Sequence, residues 1–380
     1  MHEWRDITLG DFISLRRGHD LPRQNRRPGT VPVVGSGGVT GLHDTAVARG
    51  PGITIGRAAN LGVPTLIEED FWPLNTTLYV TDFRGNDVRF IYYLLRTLDL
   101  TGFNSGSVQP MLNRNYIKSF PIRVPSGPGQ QAISEVLGAL DGKIAVNDRI
   151  AATSSGLALA RARQTLDAEP GHEVSMSGCA RVTKGASYRS DDLAGDDGVL
   201  ISLKCVGRDG QFQPDGAKPF NGDCKPDQVL HEGDIVVAQT DLTVRAEVIG
   251  RPARVVNLGG WGRMVASLDL AIVRPRSGLT SEVIFAVLSS RRFHDHALSH
   301  CNGTTVLHMN ARALPTFKFG KPSDEVISRV TATMRPLFAR SDQARRENQS
   351  LARLRDTLLP RLMSEEVRVR EAERIVAGAT

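Results

Sequence analysis

The sequence predicts a mixed α/β chain of the α+β kind. Two repeated globular domains are separated by two long antiparallel helices, which form a coiled-coil spacer with pseudo-twofold symmetry. Three observations carry this expectation. SGSVQPMLNRNYIKSFPIRVP (Ser105 to Pro125) lies without a gap over NGTTVLHMNARALPTFKFGKP (Asn302 to Pro322), about 197 residues later. Gly106 then falls on Gly303, Asn113 on Asn310, Phe120 on Phe317 and Pro125 on Pro322. Before each copy the chain alternates short β-like runs with Gly, Pro and Asn punctuation. After each copy apolar residues recur at helical spacing. A repeat this long exceeds a solenoid unit and implies one domain plus helix, duplicated.

In chain order, residues 1–128 form the first globular domain. Its strand-like runs include VPVVGSGG (Val31 to Gly38), GITIG (Gly52 to Gly56) and TTLYVTD (Thr76 to Asp82), and FIYYLLRTLDL (Phe90 to Leu100) suits a helix. VPSGPG (Val124 to Gly129) marks the boundary. Residues 129–168 then carry a heptad seam of Ile133, Leu137, Leu140 and Ile144, turning small and polar toward its end. The second domain occupies 173–321, with strands in VLISLK, DIVVAQ and DLAIVRP and a helix in EVIFAVLSSRRF. Residues 322–366 repeat the seam with Val330, Met334, Leu337, Leu351 and Leu358; Val330 and Leu337 fall on Ile133 and Leu140 at the same offset. Residues 367–380 are expected to be a fraying tail. Pro336, inside the second helix, removes a hydrogen bond at about 3 kcal/mol or more, so a bend is expected there; Pro360 should weaken the helix end. Each helix would measure about 55 to 65 Å at 1.5 Å per residue, overhanging a single domain. The ordinary alternative is that each helix packs only on its own domain; the matched copy supplies the partner that a long helix needs.

The formal net charge of +6 and pI of about 9.3 permit nucleic acid as a partner without demanding it. Cys179, Cys205, Cys224 and Cys301 have no CxxC spacing and so no usual zinc framework. The start MHEWRDITLG is polar, and no apolar run is long enough to span a membrane. The expectation is a cytoplasmic chain with reduced thiols and no membrane partner.

GSGGVTG (Gly35 to Gly41) invites a phosphate-loop reading. It matches neither the dinucleotide fingerprint nor a Walker loop, and no long helix follows it. A turn that brings backbone close to a ligand is the better account. His294, His296, His300 and Cys301 cluster at a helix end. Metal would require them to converge at about 2.0 to 2.3 Å, and ordinary packing groups are the expectation. GxSxG, HExxH, DxDxDG and Pro-Pro are all absent, so no catalytic residue is assigned.

The basic clusters are more informative. Arg16, Arg17, Arg23, Arg26 and Arg27 share a segment with His19, Gln24 and Asn25 against one acid, Asp20. Arg57 and Asn60 follow GITIG, as Gln239, Thr240 and Arg245 follow DIVVA. Ser107 and Gln109 answer Thr304, Thr305 and His308. Solvated loops are the ordinary explanation. Different polar tips at matched places of one scaffold are what two readers of different DNA sequences would carry.

Several strings together resemble the specificity subunit of type I restriction–modification systems. They are VPVVGSGGVTGLHD, ITIGRAANLG, FWPLNTTLYV, GQQAISEVLGALDGKIAVNDRI and LRDTLLPRLMSEEVRV, with HEGDIVVAQTD and IGRPARV in the second half. The resemblance implies two target-recognition domains, each reading half of a split site in double-stranded DNA. It implies helices that dock methyltransferase (modification) subunits, two by expectation, which carry S-adenosylmethionine and methylate adenine. A separate motor and nuclease subunit would use ATP; no cofactor is expected in this chain, and no catalysis. The family has no portable base-contact code, so DNA-binding residues are chosen from this sequence: Arg16, Arg17, Arg23, Arg57, Asn60, Ser107 and Gln109 in the first domain, and Lys184, Gln239, Thr240, Arg245, Thr304, Thr305 and His308 in the second. The competing expectations are a nucleotide-binding enzyme using Gly35 to Gly41 and a coiled-coil scaffold that binds no DNA.

Overall fold

The structure is a computed structural model of the chain; it describes residues 3–103, 111–196, 198–241, 246–276, 278–303 and 306–378. The chain folds into two compact units. The first comprises Met1–Ala145 with Ser350–Thr380, and the second Val146–Gln349.

In the first unit β1 (Trp4–Thr8), α1 (Leu9–Phe12) and β2 (Ser14–Arg17) lead into β3 (Val31–Gly35), β4 (Gly38–His43), β5 (Gly52–Gly56), β6 (Pro64–Ile67), β7 (Trp72–Pro73) and β8 (Thr77–Asp82). After these come α2 (Val88–Thr97), α3 (Arg114–Ile117), β9 (Pro121–Pro125) and α4 (Gly127–Ala168). The sheet β2-β8-β5-β6 is antiparallel throughout. β3 pairs antiparallel with β4 and parallel with β7, and β1 pairs with β9. β5, apolar but for Thr54, is buried at every position, as a central strand covered on both faces requires. Ile53, Ile55, Leu78, Phe12, Phe90 and Ile91 meet in one core. α2 starts at Asp87, whose side chain accepts from the Phe90 amide at 2.7 Å. The same carboxylate accepts from Ser134 Oγ at 2.5 Å, and Gln130 bonds Asn86 and the Pro125 carbonyl. The first turns of α4 are thereby tied to the domain that precedes them.

The second unit continues with β10 (His172–Ser175), α5 (Met176–Cys179), β11 (Ala180–Lys184), β12 (Val199–Ile201), β13 (Lys218–Pro219), β14 (Val229–Leu230), β15 (Ile235–Ala238), β16 (Thr240–Asp241), β17 (Pro252–Arg254), β18 (Met264–Ala266) and β19 (Leu270–Pro275). Then come α6 (Ser281–Leu288), α7 (Arg291–Ser299), β20 (Cys301–Asn302), β21 (Leu307–Met309), α8 (Ala313–Thr316), β22 (Lys318–Lys321) and α9 (Asp324–Met363). Its sheet β11-β19-β15-β17 has the same order and antiparallel pairing as β2-β8-β5-β6. β10 pairs with β22 as β1 pairs with β9. β12 runs parallel to β18 as β3 does to β7. Even single bonds repeat: Leu9 N donates to Phe120 O at 2.8 Å, and Met176 N to Phe317 O at 2.8 Å.

α4 and α9 contribute to both units. In the first unit Ile133, Leu137 and Leu140 of α4 share the core with Leu351 and Leu358 of α9, while Ile144 is half-buried against it. Asp141 accepts from Tyr93 Oη at 2.6 Å and from Arg355 Nη1 at 2.7 Å. Burial works to lower the Arg355 pKa, but the hydrogen bonds to Asp356 and Asp141 outweigh it and raise it. Arg355→Met should leave Asp141 without its cation and destabilise the unit by about 1–3 kcal/mol, read as a fall in urea midpoint. In the second unit Ser155 Oγ donates to Ser341 Oγ at 2.9 Å and Ser341 Oγ to Ala151 O at 3.1 Å. Val330 and Met334 are buried and Leu337 half-buried, beside Ala158 and Ala162 of α4. The small residues that weaken the seam in the sequence are thus where α4 meets larger α9 side chains. Within each unit the two helices run antiparallel, and each packs on its neighbouring sheet domain as well as on the other helix.

α9 stays helical past both of its prolines, and one local expectation, about the C-terminal tail, is corrected. α9 continues through Pro336 and Pro360 to Met363. Both prolines are exposed, so the carbonyls they leave unbonded face water, while Met334 and Phe338 beside Pro336 are buried. Of the tail expected to fray after Glu366, Val369–Ala377 is instead a helix. α10 (Val369–Ala377) buries Ala372 and Val376 in the first unit's core, after Glu365 turns the chain with φ 61°.

Candidate nucleic-acid interface

The end of the β2-β8-β5 sheet in the first unit forms an open cleft of about 560 Å³. Arg16 and Arg17 reach it from β2, Arg57 from the turn after β5, and Arg114 from the start of α3; His19 and Asp20 complete one wall. Gly18 permits this shape. Its amide donates to Thr77 O at 3.0 Å, and a Cβ there would lie 2.1 Å from the Leu74 carbonyl oxygen. Arg57 is held by its backbone: its amide donates to Thr76 O and its carbonyl accepts from Leu112 N, both at 2.9 Å. Its guanidinium donates to the Asn75 carbonyl at 3.3 Å, its one hydrogen bond among the described residues. Burial, then the neighbouring Arg17 charge, lowers the Arg57 pKa. Asp20 is engaged by the Asn75 side-chain amide.

The second unit repeats the scaffold with other side chains. Gly185 N donates to Leu270 O at 3.0 Å, and a Cβ there would lie 2.0 Å from the Ser267 carbonyl oxygen, so Gly185 matches Gly18. Lys184 therefore stands where Arg17 does. Gln239 N donates to Asp269 O, and Gln239 O accepts from Met309 N, both at 2.8 Å, which matches Gln239 to Arg57. His308, exposed on β21 and opposite Thr240, stands where Met111 bridges Ala58. Asn113 and Asn310 also correspond, each accepting through Oδ1 from the amide two residues on, at 3.0 and 2.9 Å. That turn explains why asparagine is kept in both copies.

The other sequence candidates are dispersed. Arg23 lies exposed in a short 3-10 turn outside the cleft lining, and Asn60 is exposed on the turn beyond β5. Thr240, expected at a loop tip, is instead buried in the β16–β21 pair and donates to Asp269 Oδ1 at 3.0 Å. Ser107, Gln109, Arg245, Thr304 and Thr305 lie outside the described residues. Arg26 and Arg27 are structural. Arg26 Nη1 donates to Thr40 O at 3.1 Å, and Arg27 pairs with Asp44 at 2.5 Å. Hydrogen bonds from Arg27 and then Thr45 pull the Asp44 carboxyl down to about 2. His19, Asp20, Asn113, Arg114 and Asn115 line the cleft and are missing from the residues chosen by sequence. Arg114 could have been found, because it varies to Ala311 inside the repeated string.

Gly35 to Gly41 is the turn and flanks of the β3–β4 hairpin, with Gly35 paired to Gly38. It does not lead into a helix. His296 stacks on His300 at 4.2 Å, and their ring nitrogens contact the Ala313 and His296 carbonyls at 2.9 Å each. Among the described residues no group of three or more His, Cys, Asp or Glu is placed to hold a metal, and no helix is long and apolar enough to cross a membrane. The His294 pKa is depressed below 6.5, first by burial and then by the Arg251 charge. The unfolded chain therefore binds the proton more readily, and stability should be full above pH 6.5 and decline as pH falls below it. Melting temperature from about pH 7.5 to 5.5 should fall less steeply for His294→Gln than for wild type.

Residues 1–153 match the family model described as Type I restriction modification DNA specificity domain. A comparison with curated proteins finds no match. Among solved structures, the chain resembles the S subunit of a type I restriction-modification system from M. genitalium at 14% identity and a TM-score of 0.58, over 95% of this chain and 96% of that one. It also aligns with the HsdS subunit from Thermoanaerobacter tengcongensis at 17% identity and a TM-score of 0.34, over 96% and 97%. The first likeness shows a shared fold; the second is too low in TM-score to add to it.

Proposed function

We propose, from the match of residues 1–153 to the model of the type I restriction–modification DNA specificity domain, that this chain is the sequence-reading subunit of such a complex and catalyses nothing itself. Each unit would read one half of a bipartite site in double-stranded DNA. The observation that carries this is the matched surface with changed side chains: Arg17 against Lys184, Arg57 against Gln239, and Met111 against His308. A duplicated scaffold that keeps its hydrogen bonds and varies its exposed polar groups suits recognition of two different base sequences. A glutamine amide such as that of Gln239 pairs with an adenine edge, at about 1–3 kcal/mol per good pairing. Residues 129–168 and 322–366 would form the coiled-coil spacer that sets the half-site distance, of the order of one helical turn, ~34 Å. Their outer faces would dock two modification subunits carrying S-adenosylmethionine, with ATP used by a motor and nuclease subunit, all in the cytoplasm.

Selection from a pool of random duplexes by the full-length chain, with gel-shift separation, tests this. The expected product is a split motif with a fixed gap. Enrichment of nothing, at low salt as well as high, would favour a scaffold instead. Saturable micromolar binding of labelled nucleotide would favour an enzyme, although the hairpin at Gly35 to Gly41 lacks the following helix that such a loop needs.

A further inference from the structure

The two matched surfaces differ sharply in charge. Arg16, Arg17, Arg57 and Arg114 open on one cleft of the first unit, and among the described residues none has a carboxylate partner. Asp20, the acid of that wall, is occupied by Asn75. At the corresponding positions of the second unit stand Thr183, Lys184, Gln239 and Ala311, with Arg312 in place of Asn115. Four cations and the Asp20 carboxylate in the first unit face two cations in the second.

We infer that the units hold DNA unequally: the first-unit cleft is a backbone-phosphate clamp that supplies most of the sequence-blind, salt-dependent affinity, while the matched surface of the second unit chiefly contacts base edges. This rests on the DNA-reading function proposed above. Guanidinium groups crowded without carboxylate partners repel one another; burial and then the Arg17 charge lower the Arg57 pKa. A phosphate relieves the repulsion because it brings net negative charge and paired acceptor oxygens. A base edge offers only dipoles and cannot neutralise four cations. The Gln239 amide and His308 imidazole instead carry both a donor and an acceptor, which suits base edges and adds no fixed charge.

The test is the salt dependence of binding of the full-length chain to a random-sequence duplex of roughly 40 base pairs. Removing one cation that neutralises a phosphate should reduce the slope of log K against log[KCl] by about 0.9. The fourfold variant R16Q/R17Q/R57Q/R114Q should lower the slope by about 3.6, equivalent to roughly 150-fold between 50 and 200 mM salt. K184Q/R312Q should lower it by about half that or less. Because the fourfold variant could be compromised in folding, R114Q alone, at an exposed position, should lower it by about 0.9. The clamp is overturned if R114Q and the fourfold variant keep the wild-type slope while the selected sequence changes, or if K184Q/R312Q reduces the slope as much as the fourfold variant. Micromolar binding of ATP that the same arginine variants abolish would overturn it too, by assigning the cleft to a free nucleotide. A wild-type chain that binds no duplex at about 50 mM salt defeats the DNA-reading function itself, an outcome distinct from the others.

Discussion

Leu140→Ala is expected to lower the stability of the first unit by about 3 kcal/mol, within the ~2–5 kcal/mol seen for fully buried leucines. Leu140 has no exposed surface and belongs to a cluster that draws on α2, α4 and α9 together. Deleting its isopropyl group leaves a space that none of these elements can close without leaving the other two. Chemical denaturation monitored by tryptophan fluorescence measures it: Trp4 and Trp72 report on the first unit once Trp261 is replaced by phenylalanine. Val47→Ala, at an exposed position, should change stability by less than about 0.5 kcal/mol. A destabilisation by Leu140→Ala no larger than that by Val47→Ala would mean that α4 does not help build this core.

The second large effect concerns the two equivalent glycines. Gly18→Ala and Gly185→Ala should each destabilise their unit by about 2–3 kcal/mol. The added methyl group would sit 2.1 Å from the Leu74 oxygen in one case and 2.0 Å from the Ser267 oxygen in the other. Both obstacles are backbone, so relief requires moving the chain rather than rotating a side chain. Because Arg17 and Lys184 are the preceding residues, DNA affinity should fall with stability. Gly156→Ala gives the contrast: nothing lies within 4 Å of its Cβ position, on helix α4. It should stabilise by roughly 0.5–1 kcal/mol. Equal melting behaviour for Gly185→Ala and Gly156→Ala would refute the packing argument.

Much of this architecture is legible from periodicity. Heptad spacing singles out Ile133, Leu137, Leu140, Val330 and Met334, and they are buried between helix and helix or helix and sheet. The ungapped string from Ser105 to Pro125 marks where the repeated turns around Asn113 and Asn310 lie. The cleft is harder to read because the register between copies drifts. Gly18 and Gly185 are about 167 residues apart, Arg57 and Gln239 about 182, and Asn113 and Asn310 about 197. Segments of unequal length between the strands hide the equivalence that hydrogen bonds reveal.

Composition also does not distinguish a free arginine from a paired one. In sequence Arg26 and Arg27 look the same as Arg16 and Arg17; only the fold brings the Thr40 carbonyl and Asp44 beside them. Thr240 resembles a loop tip because two-residue β16 is too short to leave a periodic signal. Pro336 does not end the helix: Met334 and Phe338 on either side of the exposed proline are buried.

The most direct test of the central claim is to map methylated adenines across the genome of cells that carry this chain and of the same cells lacking it. The account predicts that one split motif, two short specific halves around a fixed gap, loses its methylation when the chain is removed, and that Gln239→Ala alters only one half. Unchanged methylation at every motif after removal would contradict the assignment of sequence recognition to this chain.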